Sequence, residues 1–101
     1  MTEMICHTPA CCCQDQPNPP LRLEQSEMRL CRVEPGEHAY EAHPATEFIV
    51  CLQGALLLED ADGGRVQADP GEVIEIPAGV RHRFAPPCDA AIMRLTPQLS
   101  A

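Results

Sequence analysis

Two stretches, 35-PGEHAYEAHPATEFIVCLQG-54 and 70-PGEVIEIPAGVRH-82, decide how this chain is read. Each opens on Pro-Gly, each carries imidazole or carboxylate side chains, and each is punctuated by glycine. In the first, His43 is followed after three residues by Glu47 and after six more by Gly54; in the second, Gly71, Pro77, Gly79 and His82 succeed one another at short fixed intervals. Imidazole nitrogens and carboxylate oxygens are the ordinary donors for divalent transition metals. His43, Glu47 and His82 on predicted strands therefore form a candidate metal set.

Between and around these stretches the chain reads as short strands and turns. Residues 21–34 alternate apolar and polar in two short runs and stop at Pro35-Gly36, which predicts two early strands. A strand over Glu47–Leu52 is expected to end at Gly54, and a second, 55-ALLLED-60, to run into Asp62-Gly63-Gly64, a hairpin turn because glycine accepts positive φ freely. Strands at Arg65–Ala68, Glu72–Ile76 and His82–Phe84 follow, and 90-AAIMRL-95 supplies the last. No window carries a helical apolar stripe, so the fold class is all-β, a sandwich or barrel.

The spacing within the two stretches resembles that of a small cupin, over about Pro35 to Pro97. The resemblance implies a double-stranded β-helix, the jelly-roll barrel, in preference to an immunoglobulin-like or OB arrangement. It also implies roles. A cupin's first segment usually supplies two histidines one residue apart, then a glutamate and a closing glycine, and its second segment a further histidine. Laid on this chain, the second histidine position is His43, the glutamate Glu47, the glycine Gly54 and the later histidine His82. The first histidine position holds Glu41, a carboxylate still able to coordinate. The initial glycine is offset by one residue, and Pro86 stands where an asparagine often follows the last histidine. Two imidazoles and up to two carboxylates suit Fe(II), Mn(II), Ni(II) or Zn(II). The opposing reading is a metal-free barrel in which the same side chains hydrogen-bond a ligand or one another.

Strand parity refines the picture. Glu47, Ile49 and Cys51 share one face, Phe48, Val50 and Leu52 the other. Glu41 and Tyr40, beside the proposed ligands, are the candidate catalytic groups, Glu41 as base and Tyr40 as proton donor. His38 is expected to face water, and Arg81 and Arg83 to face away from His82. Arg94, on the last strand, is either a clamp for a carboxylate or a solvated residue. Cys31, Cys51 and Cys88 read as packing residues.

Composition narrows the functional classes. With 101 residues the chain is one domain; the formal net charge of −8 argues against a nucleic-acid partner, which requires clustered cations. No stretch approaches the roughly 20 apolar residues of a membrane helix, and nothing resembles a secretion signal. All seven cations are arginine, which removes Schiff-base and P-loop lysines. Seven cysteines without a signal peptide indicate a reduced cytoplasm. Four of them, Cys6, Cys11, Cys12 and Cys13, lie with His7 in residues 1–20, a Cys- and Pro-rich segment expected to be a flexible arm preceding a barrel over residues 21–101. A homodimer is expected, since so small a barrel leaves apolar strand edges to cover.

Three functions stay open on sequence: a metal-dependent enzyme, dioxygenase- or isomerase-like, on a small molecule held in the barrel; a non-catalytic small-molecule binding or sensing module; and a metal- or redox-handling protein working through the cysteine-rich arm.

Overall fold

The computed structural model describes residues 3–9, 20–23 and 25–97. The described residues form seven strands and no helix: β1 (Ile5–His7), β2 (Ser26–Val33), β3 (Glu47–Asp60), β4 (Arg65–Ala68), β5 (Val73–Ile76), β6 (His82–Phe84) and β7 (Asp89–Pro97). Every pairing is antiparallel, and the main sheet runs in the order β1-β5-β3-β7-β2. The fold is all-β, as the strand and turn pattern of the sequence predicts.

β3 organises the barrel. Its first half pairs with β5 and β7, its second half with β4 and β6. The strand expected to stop at Gly54 instead runs on to Asp60, 14 residues in all. The reason is local: the register against β7 shifts between Cys51 and Gln53, and Gly54 takes φ 78°, so a bulge bends the strand from one sheet into the other without breaking it. A Cβ built on Gly54 would lie 2.3 Å from the carbonyl oxygen of Asp89, so glycine also allows β7 to approach. The two early strands expected in residues 21–34 are a single strand, β2, paired with β7 along its whole length.

The β3–β4 hairpin forms where its turn residues predict. Asp60 Oδ1 accepts hydrogen bonds from the amides of Asp62 (2.9 Å) and Gly64 (2.8 Å), and Gly63 sits at φ 93°. Within residues 1–20, Ile5–His7 add an edge strand to β5, with Met4 buried in the core and His7 Nε2 2.8 Å from Glu75 Oε1. Cys11, Cys12 and Cys13 lie outside the described residues.

Parity holds across the sheet. Ile49 pairs with Arg94 and Cys51 with Ile92, so Glu47, Ile49 and Cys51 share the barrel interior with Ile92 and Arg94. Ile49, Leu56, Leu58, Ile74, Ile76 and Ile92 form the apolar core. Among the described residues three polar side chains are buried: Glu59 is paired with Arg65 and Arg83, whereas Glu47 and His82, almost wholly buried, demand an explanation.

Candidate metal centre

Three elements deliver the donors. Glu47 begins β3 and points inward; His82 begins β6; Glu41 and His43 lie on the segment that leads into β3. Backbone hydrogen bonds tie this segment to the other stretch: Glu41 N to His82 O (2.8 Å), His82 N to Glu41 O (2.9 Å) and Gly79 N to His43 O (2.8 Å). The two sequence stretches are thus stitched directly to one another. One ligand atom from each of Glu41, His43, Glu47 and His82 lies within 4.8 Å of all the others.

Three of the four donors are anchored by other groups, and His43 is not. His82 Nδ1 lies 2.9 Å from Val80 O and His82 Nε2 3.1 Å from Glu47 Oε1. Glu47 turns its other oxygen outward from the cluster, where Oε2 accepts from Thr96 Oγ1 (2.6 Å) and Arg94 Nη2 (2.9 Å). Arg94 also ion-pairs Glu41. His43 Nε2 stands 3.8 Å from Glu47 Oε1 and 3.9 Å from Glu41 Oε1, too far for hydrogen bonds, and is buried without a partner. A buried imidazole nitrogen without a hydrogen-bond partner, set 3.8 and 3.9 Å from two carboxylate oxygens, is an orphan that a cation would satisfy, so the residues fit a metal ion.

The electrostatics agree. Burial works against the charge on His82, but hydrogen bonding to Glu41 and Glu47 outweighs it and lifts the imidazole from 6.5 to about 9. Glu41 is held down at about 2, chiefly by His82 and then, against burial, by Arg94. Glu47 is opposed by burial, yet His82, Arg94 and Thr96 keep it below the usual carboxylate range. Without a metal, the site is a network of imidazolium, two carboxylates and a guanidinium, buried at Glu47 and His82 and partly open at Glu41.

The other sequence candidates lie around this cluster. Tyr40 packs its ring against the guanidinium carbons of Arg83 (4.8 Å) and Arg81 (5.6 Å), the residues flanking His82. Arg83 is ion-paired with Glu59 and Glu37, and His38 Nε2 lies 3.0 Å from Glu34 O. Cys51 and Cys88 are buried and their thiols pushed up by burial, so both pack as neutral thiols. Thr96 was not anticipated; its one sequence signal is its place two residues after Arg94, on the same face. Two surface hollows, of about 280 Å³ beside Asp60 and Arg81 and about 190 Å³ beside Arg32 and Gln53, contain no member of the cluster.

Comparison with known proteins places this chain in a family. The cupin domain matches residues 29–96. A cupin-2 domain containing protein from Shewanella frigidimarina is similar in structure, with TM-score 0.64 and 24% identity over 77% of this chain and 76% of that one. A crystal structure from Neisseria meningitidis matches with TM-score 0.63 and 18% identity over 77% and 79%. A conserved Streptococcus pyogenes protein of unknown function matches with TM-score 0.59 and 14% identity over 98% and 78%. No curated protein matches.

Proposed function

The chain belongs to the cupin family, and on that premise we propose that it is a small metal-binding cupin in which His43, Glu47 and His82 are the ligands and Glu41 the exchangeable fourth. The observation that carries this reading is the orphaned His43 Nε2, buried opposite both carboxylates. Two nitrogens and two oxygens suit iron, manganese, nickel or zinc, and such an ion would supply a Lewis-acid centre. The chain's own residues do the positioning. Thr96 and Arg94 hold Glu47 by the oxygen that faces away from His43 and His82, and Val80 orients the His82 ring.

The contacts of the two candidate catalytic groups favour binding or sensing over catalysis. The Glu41 carboxylate is paired with Arg94, and the Tyr40 ring is engaged with Arg81 and Arg83. An enzymatic role, dioxygenase- or isomerase-like, requires ligand binding to break the Glu41–Arg94 pair first.

We further read the chain as a homodimer in a reduced cytoplasm. Supporting the dimer are two cross-strand apolar rows on the outer sheet face, Phe48-Leu95-Met28 and Val50-Met93-Leu30, which end on β2 at the sheet's open edge. Met28 and Leu30 are 64% and 72% exposed there. Supporting the compartment are the free thiols of Cys6, Cys31, Cys51 and Cys88. The decisive experiment is elemental analysis of full-length protein purified without a histidine tag. Near-stoichiometric transition metal in the wild type, lost in His43→Ala with the fold retained, is expected; a metal-free wild type, or equal content in the variant, overturns the reading.

A further inference from the structure

Arg94 is the cation that reaches the donor cluster, and it is only partly used. Its Nη2 donates to Glu47 and Glu41, while its Nε is buried with no partner. Nε and Nη2 form the side-on edge of the guanidinium, the edge that grips a carboxylate through two parallel hydrogen bonds. Glu41 touches that edge through Nη2 alone. Phe84 lies against the guanidinium face, 5.3 Å from Cζ to ring centroid, and holds its plane.

The two carboxylates differ in freedom. Glu47 has no exposed side-chain surface and is fixed by Thr96 as well as Arg94, whereas the Glu41 side chain is 39% exposed. Glu41 lies outside the named strands, its backbone held by the bridge to His82, so its side chain can swing to solvent while its backbone stays. Charge settles which ligand fits. In the metal-loaded centre, with His82 a neutral ligand, Glu41 and Glu47 carry two negative charges against the one positive charge of Arg94, and a divalent ion leaves a single surplus positive charge.

We propose that the metal-loaded centre takes a small monocarboxylate, seated side-on across Nε and Nη2 of Arg94, with Glu41 the group that yields. The proposal rests on the metal-binding reading above. An incoming carboxylate gains the second donor that Glu41 leaves idle, and a neutral ligand of the same shape does not offset the surplus charge. Arg94 is here a ligand-binding residue and Thr96 a positioning one.

The test uses the full chain loaded with Co(II) at pH 7.5, titrated with acetate and with acetamide as its neutral counterpart. Cobalt absorption in the visible range and calorimetry are the readouts. Acetate is expected to shift the cobalt spectrum and to bind at least tenfold more tightly than acetamide. Arg94→Gln should weaken acetate at least tenfold while changing cobalt affinity less, and Arg94→Lys, which keeps the charge but not the fork, should fall between. Glu41→Gln removes the exchangeable fourth ligand and should weaken cobalt, but at saturating cobalt it should bind acetate more tightly than wild type, a check that stands even if the Arg94 variants fold poorly. Cobalt binding with acetate affinity unchanged in Arg94→Gln, or unimproved in Glu41→Gln, overturns the anion seat alone. Failure of the wild type to take up cobalt overturns the metal reading and the seat with it.

Discussion

His82 Nδ1 lies 2.9 Å from the carbonyl oxygen of Val80, two residues earlier in the chain. A carbonyl only accepts, so Nδ1 carries the proton in every ionisation state of this ring. The other nitrogen, Nε2, is therefore the one that gains or loses a proton, and it faces Glu47 and Glu41. A proton and a metal ion compete for one lone pair, and the Val80 contact aims that lone pair at the cluster.

Metal uptake should therefore release a proton. With His82 at about 9 in the metal-free protein, apparent affinity should rise roughly tenfold per pH unit from neutrality toward 9 and then flatten. Calorimetry at pH 7 in buffers of different ionisation enthalpy should report close to one proton released per ion. An affinity that does not change between pH 7 and pH 9 would contradict the assignment of His82.

Stability of the metal-free protein should have two limbs. The folded pKa of His82 is raised, so its contribution is complete below 6.5 and is lost as pH climbs through about 9. The folded pKa of Glu41 is lowered, so its contribution is complete above 4.5 and is lost as pH falls toward about 2. In chelator, the melting temperature should be highest between about 4.5 and 6.5. His82→Gln should flatten the alkaline limb and leave the acid one; an alkaline decline of full size in that variant would place its origin elsewhere.

Thr96→Val keeps the shape of the side chain but removes the donor to Glu47 Oε2, leaving a buried carboxylate with one fewer partner. Hydrogen bonds to charged groups are worth about 1.5–3 kcal/mol, and denaturant unfolding of the metal-free variant should show a loss of that order. Thr96→Ser should recover most of it. Metal affinity should drop in Thr96→Val as well, since Glu47 is no longer held by its outer oxygen.

The site was more legible in sequence than the support around it. Glu41, His43, Glu47 and His82 could be picked out because their spacing is local to two short stretches. What links them is not local: Thr96 meets Glu47 across 49 residues, a pairing set by the β3–β7 register, and Arg94 meets Glu41 across 53, because the bridge to His82 holds Glu41 beside that sheet. Arg94 was visible as a cation with a use for carboxylates, but the carboxylates it meets in the folded chain are the protein's own. β1 escaped notice because three residues carry too little periodicity to announce a strand, and its partner β5 lies more than sixty residues away. At Gly54, positive φ marks a bulge as readily as an end, and single-sequence reading has no means of choosing between them.

The outer apolar rows predict an assembly effect. Leu30, 72% exposed on the edge strand and directly opposite Met93, should be buried in a dimer. Leu30→Arg places a charge in that contact at little cost to the isolated barrel. Sedimentation should show the wild type as a dimer and the variant as a monomer with a near wild-type melting curve when both are diluted. A monomeric wild type would rule the dimer out.

Gly54 and Gly63 allow the bulge itself to be tested, because they share a backbone conformation but not an environment. Both have positive φ, 78° and 93°, so an alanine at either position costs about 1–2 kcal/mol in backbone strain. At Gly63 nothing lies within 4 Å of the added methyl, and strain should be the whole cost. At Gly54 the methyl would sit 2.3 Å from Asp89 O and 3.2 Å from Ala90 Cα, both backbone atoms of β7 that cannot step aside without opening the β3–β7 ladder. Gly54→Ala should therefore be clearly more destabilising than Gly63→Ala in denaturant unfolding. Its effect should also reach the cluster, since Arg94 and Thr96 are carried on the strand that has to move, and metal affinity should fall in Gly54→Ala but not in Gly63→Ala. Equal losses of stability in the two variants would mean that β7 does not approach Gly54 as closely as the bulge requires.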